Sequence, residues 1–138
     1  MNNYRFGVIG VGPIGSIMAA HLTKAGHNVT LVDILKDHLD KIKKSGLTLT
    51  GFKEIKATFP PENFCYSIDE MDEEKIDVVF ISIKASLLPR ILPNLKKVTK
   101  PGTIFVSLQN GLDAEDLIAD YFGKKNTLRI VINYAGNI

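Results

Sequence analysis

Gly10-Val11-Gly12-Pro13-Ile14-Gly15 sets three glycines at the spacing G-x-G-x-x-G. Glycines fall at this spacing by chance, so the context has to carry the reading. Residues 5–10 are a short apolar run read as a buried parallel strand. Residues 14–25 then carry Ile14, Ile17, Met18, His21 and Leu22 at helical spacing, with Gly26 as a stop. A glycine turn joining strand to helix has a chemical use. Gly10 permits the tight turn, Gly12 leaves no side chain where a pyrophosphate approaches, and Gly15 lets the helix pack on the strand. The helix N-terminus adds unpaired N–H groups and a partial positive charge. Pro13 suits the first turn, which does not need its missing N–H. Gly10, Gly12, Pro13, Ile14 and Gly15 are therefore a candidate dinucleotide cradle. A glycine turn without a ligand is the plain alternative.

Asp33 strengthens the case. It closes a β-rich run at residues 28–32 and lies 18 positions after Gly15, close to where a ribose-binding acid is expected. A carboxylate there accepts hydrogen bonds from the adenosine ribose, worth roughly 1.5–3 kcal/mol when charge-assisted. It repels the 2′-phosphate of NADP, so Asp33 favours NAD. Lys36 stands close enough to offset part of that repulsion. Asp33 as a mere cap on the next helix is the competing reading.

These residues need a frame, and the chain supplies one. Residues 35–44 return to helical spacing, and residues 47–57 read as a small hairpin inserted at the sheet edge. Residues 58–74 look irregular, with Pro60-Pro61 and an acidic stretch. Residues 76–83 form the most hydrophobic strand and should be central. A helix at residues 85–98 is limited in its early turns by Pro89 and Pro93. A strand at 103–108, a helix opening at Asp113 and a strand at 127–132 complete the pattern. Alternating strands and helices imply an α/β, Rossmann-type doubly wound, mainly parallel sheet with helices on both faces, in one domain over residues 1–138. Lys84 and Asn110 then fall just past the carboxyl ends of two strands, where such sheets bind ligands. Lys84 can meet phosphates or a substrate carboxylate; Asn110 can fix a carboxamide, a ribose hydroxyl or the substrate. A solvated lysine and a simple Asn-Gly turn are the plainer readings.

Composition removes several function classes. Of the 138 residues 45% are apolar and 23% charged, with a net charge of +2, which gives no electrostatic reason to expect nucleic acid or an anionic membrane. No apolar run approaches the ~20 residues of a bilayer span. No secretory signal opens the chain, so the cytoplasm is the expected compartment. Lys41, Lys43 and Lys44 sit beside Asp37 and Asp40 and read as a solvated helix face. Cys65 is the only cysteine and reads as incidental. His21, His27 and His38 are not placed near the strand ends by this reading and receive no catalytic role. No metal-ligand spacing is present.

Three segments resemble the ketopantoate reductase (2-dehydropantoate 2-reductase) family. They are the opening unit from Ile9 to Val32, the run Phe80-Ile81-Ser82-Ile83-Lys84-Ala85, and Ser107-Leu108-Gln109-Asn110-Gly111-Leu112. The resemblance covers nearly all of this chain but only the N-terminal half of such an enzyme. It implies an oxidoreductase of pantothenate biosynthesis that reduces a 2-oxo acid by hydride transfer. It implies that Lys84 contacts the cofactor and that Asn110 lies where cofactor and substrate meet. It admits NADP as well, although Ile34 stands where the family carries a basic residue for the 2′-phosphate. It also implies that a helical domain, absent from these residues, supplies the general acid and most contacts to the small-molecule substrate. These residues alone are then expected to be inactive, with an exposed apolar face that favours a homo-oligomer. Two other readings compete: a stand-alone nucleotide-sensing domain of the kind that regulates potassium transport, and the cofactor domain of an opine or 3-hydroxyacid dehydrogenase.

Overall fold

The apolar runs become strands because both of their faces are covered. The computed structural model describes residues 4–51, 53–109 and 113–132. Along them run β1 (Arg5–Ile9), α1 (Pro13–Lys24), β2 (Asn28–Val32), α2 (Lys36–Ser45), β3 (Leu47–Leu49), β4 (Ile55–Ala57), β5 (Phe64–Cys65), β6 (Val78–Ile81), α3 (Leu88–Lys97), β7 (Ile104–Ser107), α4 (Ala114–Phe122) and β8 (Thr127–Arg129). Six of the strands form one sheet in the order β5-β2-β1-β6-β7-β8, and every pairing in it is parallel. Counted along this sheet alone the order is 3-2-1-4-5-6, the Rossmann order, and it reverses between β1 and β6.

Side chains alternate across the sheet. Phe6, Val8, Val29, Leu31, Phe80 and Val106 pack with Ala19, Ala20, Leu39 and Ile42 from α1 and α2. Ile9, Val32, Val79, Ile81 and Phe105 pack with Leu88, Leu92 and Leu95 of α3 and with Ala114 and Ile118 of α4. Each fully buried leucine here contributes about 1.5–3 kcal/mol. Register places the functional edge: Cys65 pairs with Val32, Val32 and Ile81 with Ile9, and Ser107 with Ile81. The carboxyl ends of five strands are therefore level, and the loops after them open on one rim.

Some expectations need correction. The hairpin β3–β4 forms, but as a separate two-stranded antiparallel sheet whose Ile55 and Ala57 join the core beside α1, not at the edge of the main sheet. That edge is β5, inside the stretch read as irregular. Two residues are too few for a visible alternation, and β5 is specified by pairing Leu31 with Phe64 and Val32 with Cys65. The apolar stripe expected on α1 is also not its most buried face. Gly15, Ser16, Ala19 and Ala20 are buried, while Ile14, Met18 and Leu22 flank them and His21 is exposed. Small residues let α1 lie close to the sheet. In α3, Pro89 falls in the first turn and Pro93 inside the helix. Both prolines face solvent, so the missing N–H costs little burial while Leu88, Leu92 and Leu95 pack inward. No described helix is long and apolar enough to cross a membrane.

The opposite rim of the sheet is pinned by charge. Asp77 accepts from the Arg5 backbone N–H at 2.9 Å and from its guanidinium at 3.0 and 3.1 Å, with Lys100 at 3.5 Å. The Arg5 hydrogen bonds hold the Asp77 carboxyl down at about 2, against an ordinary 3.8. A depressed acid contributes its full stabilisation above the unfolded value and loses it as pH falls towards the folded one. Asp77→Asn should therefore lower stability at neutral pH by about 1–3 kcal/mol and flatten the loss of stability between pH 3.8 and about 2, read by urea unfolding across that window.

Candidate cofactor site

At the switch point the chain leaves β1 and turns at once. Gly10 has φ +89°, a left-handed conformation that favours glycine, and a Cβ there would meet Ile83 Cγ2 at 2.9 Å. A Cβ on Gly15 would run into the Gly10 carbonyl oxygen. The fold itself demands both glycines. Gly12 differs: a Cβ built there meets nothing within 4 Å among the described residues. It caps α1 with extended backbone and no side-chain cap bond, and Pro13 opens the helix. The first N–H groups of α1, including those of Ile14 and Gly15, thus have no intrahelical acceptor. No acidic residue occupies that first turn. Space, free donors and positive helix potential converge beside Gly12.

The β2 side of the loop is tied down by side chains. Asp33 is half-buried and accepts from Val11 N at 2.8 Å and from Leu35 N at 2.9 Å. It therefore holds the glycine loop and also supports the entry to α2. One bond on each oxygen leaves acceptor capacity on both. The Val11 carbonyl in turn lies 2.6 Å from His38 Nε2 and accepts from Ser16 Oγ at 3.2 Å. The histidines were not expected near the strand ends; the first turn of α2 brings His38 there. Its position five residues past Asp33 was the available signal, and only the angle between β2 and α2 turns it towards Val11. Beside Asp33, Ile34 is 80% exposed and Leu35 62%, an apolar surface at the entry to α2.

On the far side, Ser82 Oγ donates to the Gly10 carbonyl at 3.2 Å. Gln109 is 6% exposed; its Nε2 donates to the Ile83 carbonyl at 2.7 Å and its Oε1 accepts from Ser107 Oγ at 3.2 Å. Gln109 therefore staples the loop after β7 to the loop after β6. Lys84 follows Ile83 directly, is exposed, and makes no ion pair among the described residues. Asn110, with Gly111 and Leu112, lies outside the described residues. The Cys65 thiol is pushed up to about 11, first by burial and then by the Glu70 charge, so it stays protonated and unreactive near neutral pH. A cleft of about 480 Å³ lined by Lys96, Phe105 and Tyr121 includes none of these site residues.

A sequence profile of the family described as Ketopantoate reductase PanE/ApbA matches residues 6–137. The chain belongs to the ketopantoate reductase family. A 2-dehydropantoate 2-reductase from Nostoc sp. is 34% identical over 123 residues, covering 87% of this chain and 36% of the relative. One from Streptococcus pyogenes is 30% identical over 121 residues, covering 88% and 38%. The chain thus spans little more than a third of the length of these curated relatives. Among solved structures, D-mandelate dehydrogenase with NADH and anilino(oxo)acetate superposes with a TM-score of 0.75 at 27% identity, over 90% of this chain and 39% of that one. A 2-dehydropantoate 2-reductase from Geobacter metallireducens reaches 0.78 over 96% and 44% at 21% identity, a likeness of fold alone. With the family shown, the nucleotide-sensing reading and that of an opine or 3-hydroxyacid dehydrogenase give way to it.

The glycines separate structural from ligand-facing roles. Gly15→Ala should lower the unfolding midpoint markedly, because a methyl group forced onto the Gly10 carbonyl costs at least the ~1–3 kcal/mol of overpacking. Gly12→Ala should leave that midpoint nearly unchanged. Thermal unfolding of both variants checks the contrast.

Proposed function

We propose that these residues are the dinucleotide-binding domain of a reductase that uses NADH to convert a 2-oxo acid of the ketopantoate type to a 2-hydroxy acid. The observation that carries the reading is Gly12, which among the described residues is a glycine the fold does not need, open to space beside unpaired helix N–H groups. A backbone kept bare at that point suits close approach by a pyrophosphate. When bound, the nicotinamide supplies the hydride. Gly12, Ile14 and Gly15 hold the phosphates, and Asp33 accepts from the ribose hydroxyls with the capacity left on its two oxygens. The Asp33 charge and the apolar Ile34–Leu35 surface both disfavour a 2′-phosphate. NADH titrated into the chain should bind at least about tenfold more tightly than NADPH, in line with one or two charge-assisted hydrogen bonds. Gly12→Val should abolish both without unfolding the chain, and calorimetry on folded protein reads both outcomes. Equal affinity in Gly12→Val would remove the site assignment; preference for NADPH would make Lys36 or another cation dominant.

On the substrate side the reading is supported by the resemblance of these loops to the family's motifs. Lys84, beyond β6, and Asn110 are the residues that would face cofactor and 2-oxo acid, with Asn110 orienting the two. Hydride transfer needs its partners within about 3–3.5 Å in a near-attack geometry and a proton donor within hydrogen-bond reach of the carbonyl oxygen. One rim of a sheet leaves the other face of that geometry to water. The remaining length of the relatives is where we place the second wall and the acid. These 138 residues by themselves should then show no turnover of ketopantoate with NADH or NADPH while still binding cofactor. Spectrophotometric assay beside a full-length relative decides it, and turnover close to the relative's would make Lys84 or Asn110 the catalytic group.

A further inference from the structure

Among the described residues His38 is the one histidine that hydrogen-bonds the glycine loop, and its contact has a direction. Its Nε2 lies 2.6 Å from the Val11 carbonyl oxygen. A carbonyl only accepts, so Nε2 carries the proton and donates. Ser16 Oγ reaches the same oxygen at a longer 3.2 Å. Val11 O and Gly12 N–H belong to one peptide plane, and the described chain contains no cis bond. In a trans peptide the C=O and N–H point opposite ways. Holding Val11 O towards His38 and Ser16 therefore turns the Gly12 N–H away from α2. Among the described residues that N–H meets no acceptor, and the Gly12 α-carbon beside it faces open space. The preceding peptide is fixed as well, because Val11 N donates to Asp33 at 2.8 Å. Val11 itself is fully buried, so the plane between Val11 and Gly12 has little freedom to rotate.

We infer that His38 is a positioning residue for the cofactor: by donating from Nε2 to the Val11 carbonyl, it aims the Gly12 N–H at a pyrophosphate oxygen. This rests on the dinucleotide reading above and adds a residue that the glycine spacing does not reveal. The ribose and pyrophosphate halves of the site become mechanically linked, since Asp33, just past β2, and His38, in the first turn of α2, both hold Val11, with Ser16 of α1 as a third, longer contact. The anchor is rigid because the neighbouring Leu39 is fully buried. A histidine that merely satisfied a stray carbonyl would affect stability and nothing else.

The test is an NADH titration of the chain and of His38→Leu and His38→Gln, with the Gly12 amide followed in proton–nitrogen NMR spectra. His38→Leu should weaken NADH binding about tenfold, the size of one directed hydrogen bond, and the Gly12 amide should lose its response to NADH. His38→Gln, whose amide N–H can donate to the same carbonyl, should recover most of both. A change in unfolding midpoint with unchanged NADH affinity of the folded protein would overturn the assignment. So would a wild-type ring spectrum with the His38 proton on Nδ1 alone, a measurement that needs no variant. Wild-type protein that binds no NADH would instead overturn the dinucleotide reading, and this one with it.

Discussion

Helix α1 lies so close to β1 that Gly15 has no room for a methyl group beside the Gly10 carbonyl. That approach is held by a buried face of Gly15, Ser16, Ala19 and Ala20, residues too small to keep helix and sheet apart. The rest of the site depends on it. Because α1 starts so near the strand, its free N–H groups emerge at the point where the sheet order reverses. Because Gly10 and Gly15 absorb the steric demands, Gly12 is left bare towards solvent. A longer side chain on the inner face of α1 would move the whole donor array outward, even with the glycine spacing intact.

The level strand ends supply the second constraint. Ladder bonds continue one residue past several strands: Gly10 N to Val32 O, Ser82 N to Ile9 O, Leu108 N to Ile81 O and Asp33 N to Cys65 O. Beyond them, side chains take over the task. Asp33 and His38 hold Val11, Ser82 holds Gly10, and Gln109 holds Ile83. Loops that would otherwise be mobile are thereby set on a rigid scaffold, which keeps binding groups within a fraction of an ångström of a useful geometry. The polar residues around the rim are thus divided between those left open to a ligand and those that hold the loops in place.

Much of this was legible in the sequence. The alternation of buried strands and amphipathic helices, the glycine turn and Asp33 at the end of β2 follow from local patterns with periods of two or three to four residues. The family was legible too, because its motifs sit at the ends of strands that local patterning already locates. Some elements were not. β5 is too short to show a period, and it exists because Phe64 and Cys65 meet β2 across 30 or more residues of chain. The true inner face of α1 was hidden by the larger side chains flanking it, since hydrophobicity ranks isoleucine above alanine while close packing against a sheet favours the reverse.

Gly10, Gly12 and Gly15 look alike as letters, and the sequence by itself determined only that all three lack a side chain. Tertiary structure decided which of them the fold requires, because clash is a property of atoms brought together from α1, β1 and the loop after β6. It likewise decided that His38 and Gln109 hold the loops of the rim. Each contributes through a hydrogen bond to a backbone carbonyl 26 or 27 residues away, and such a bond leaves no spacing rule behind. Local patterns record which face of an element is apolar; the directions in which elements cross are set by packing the whole sheet.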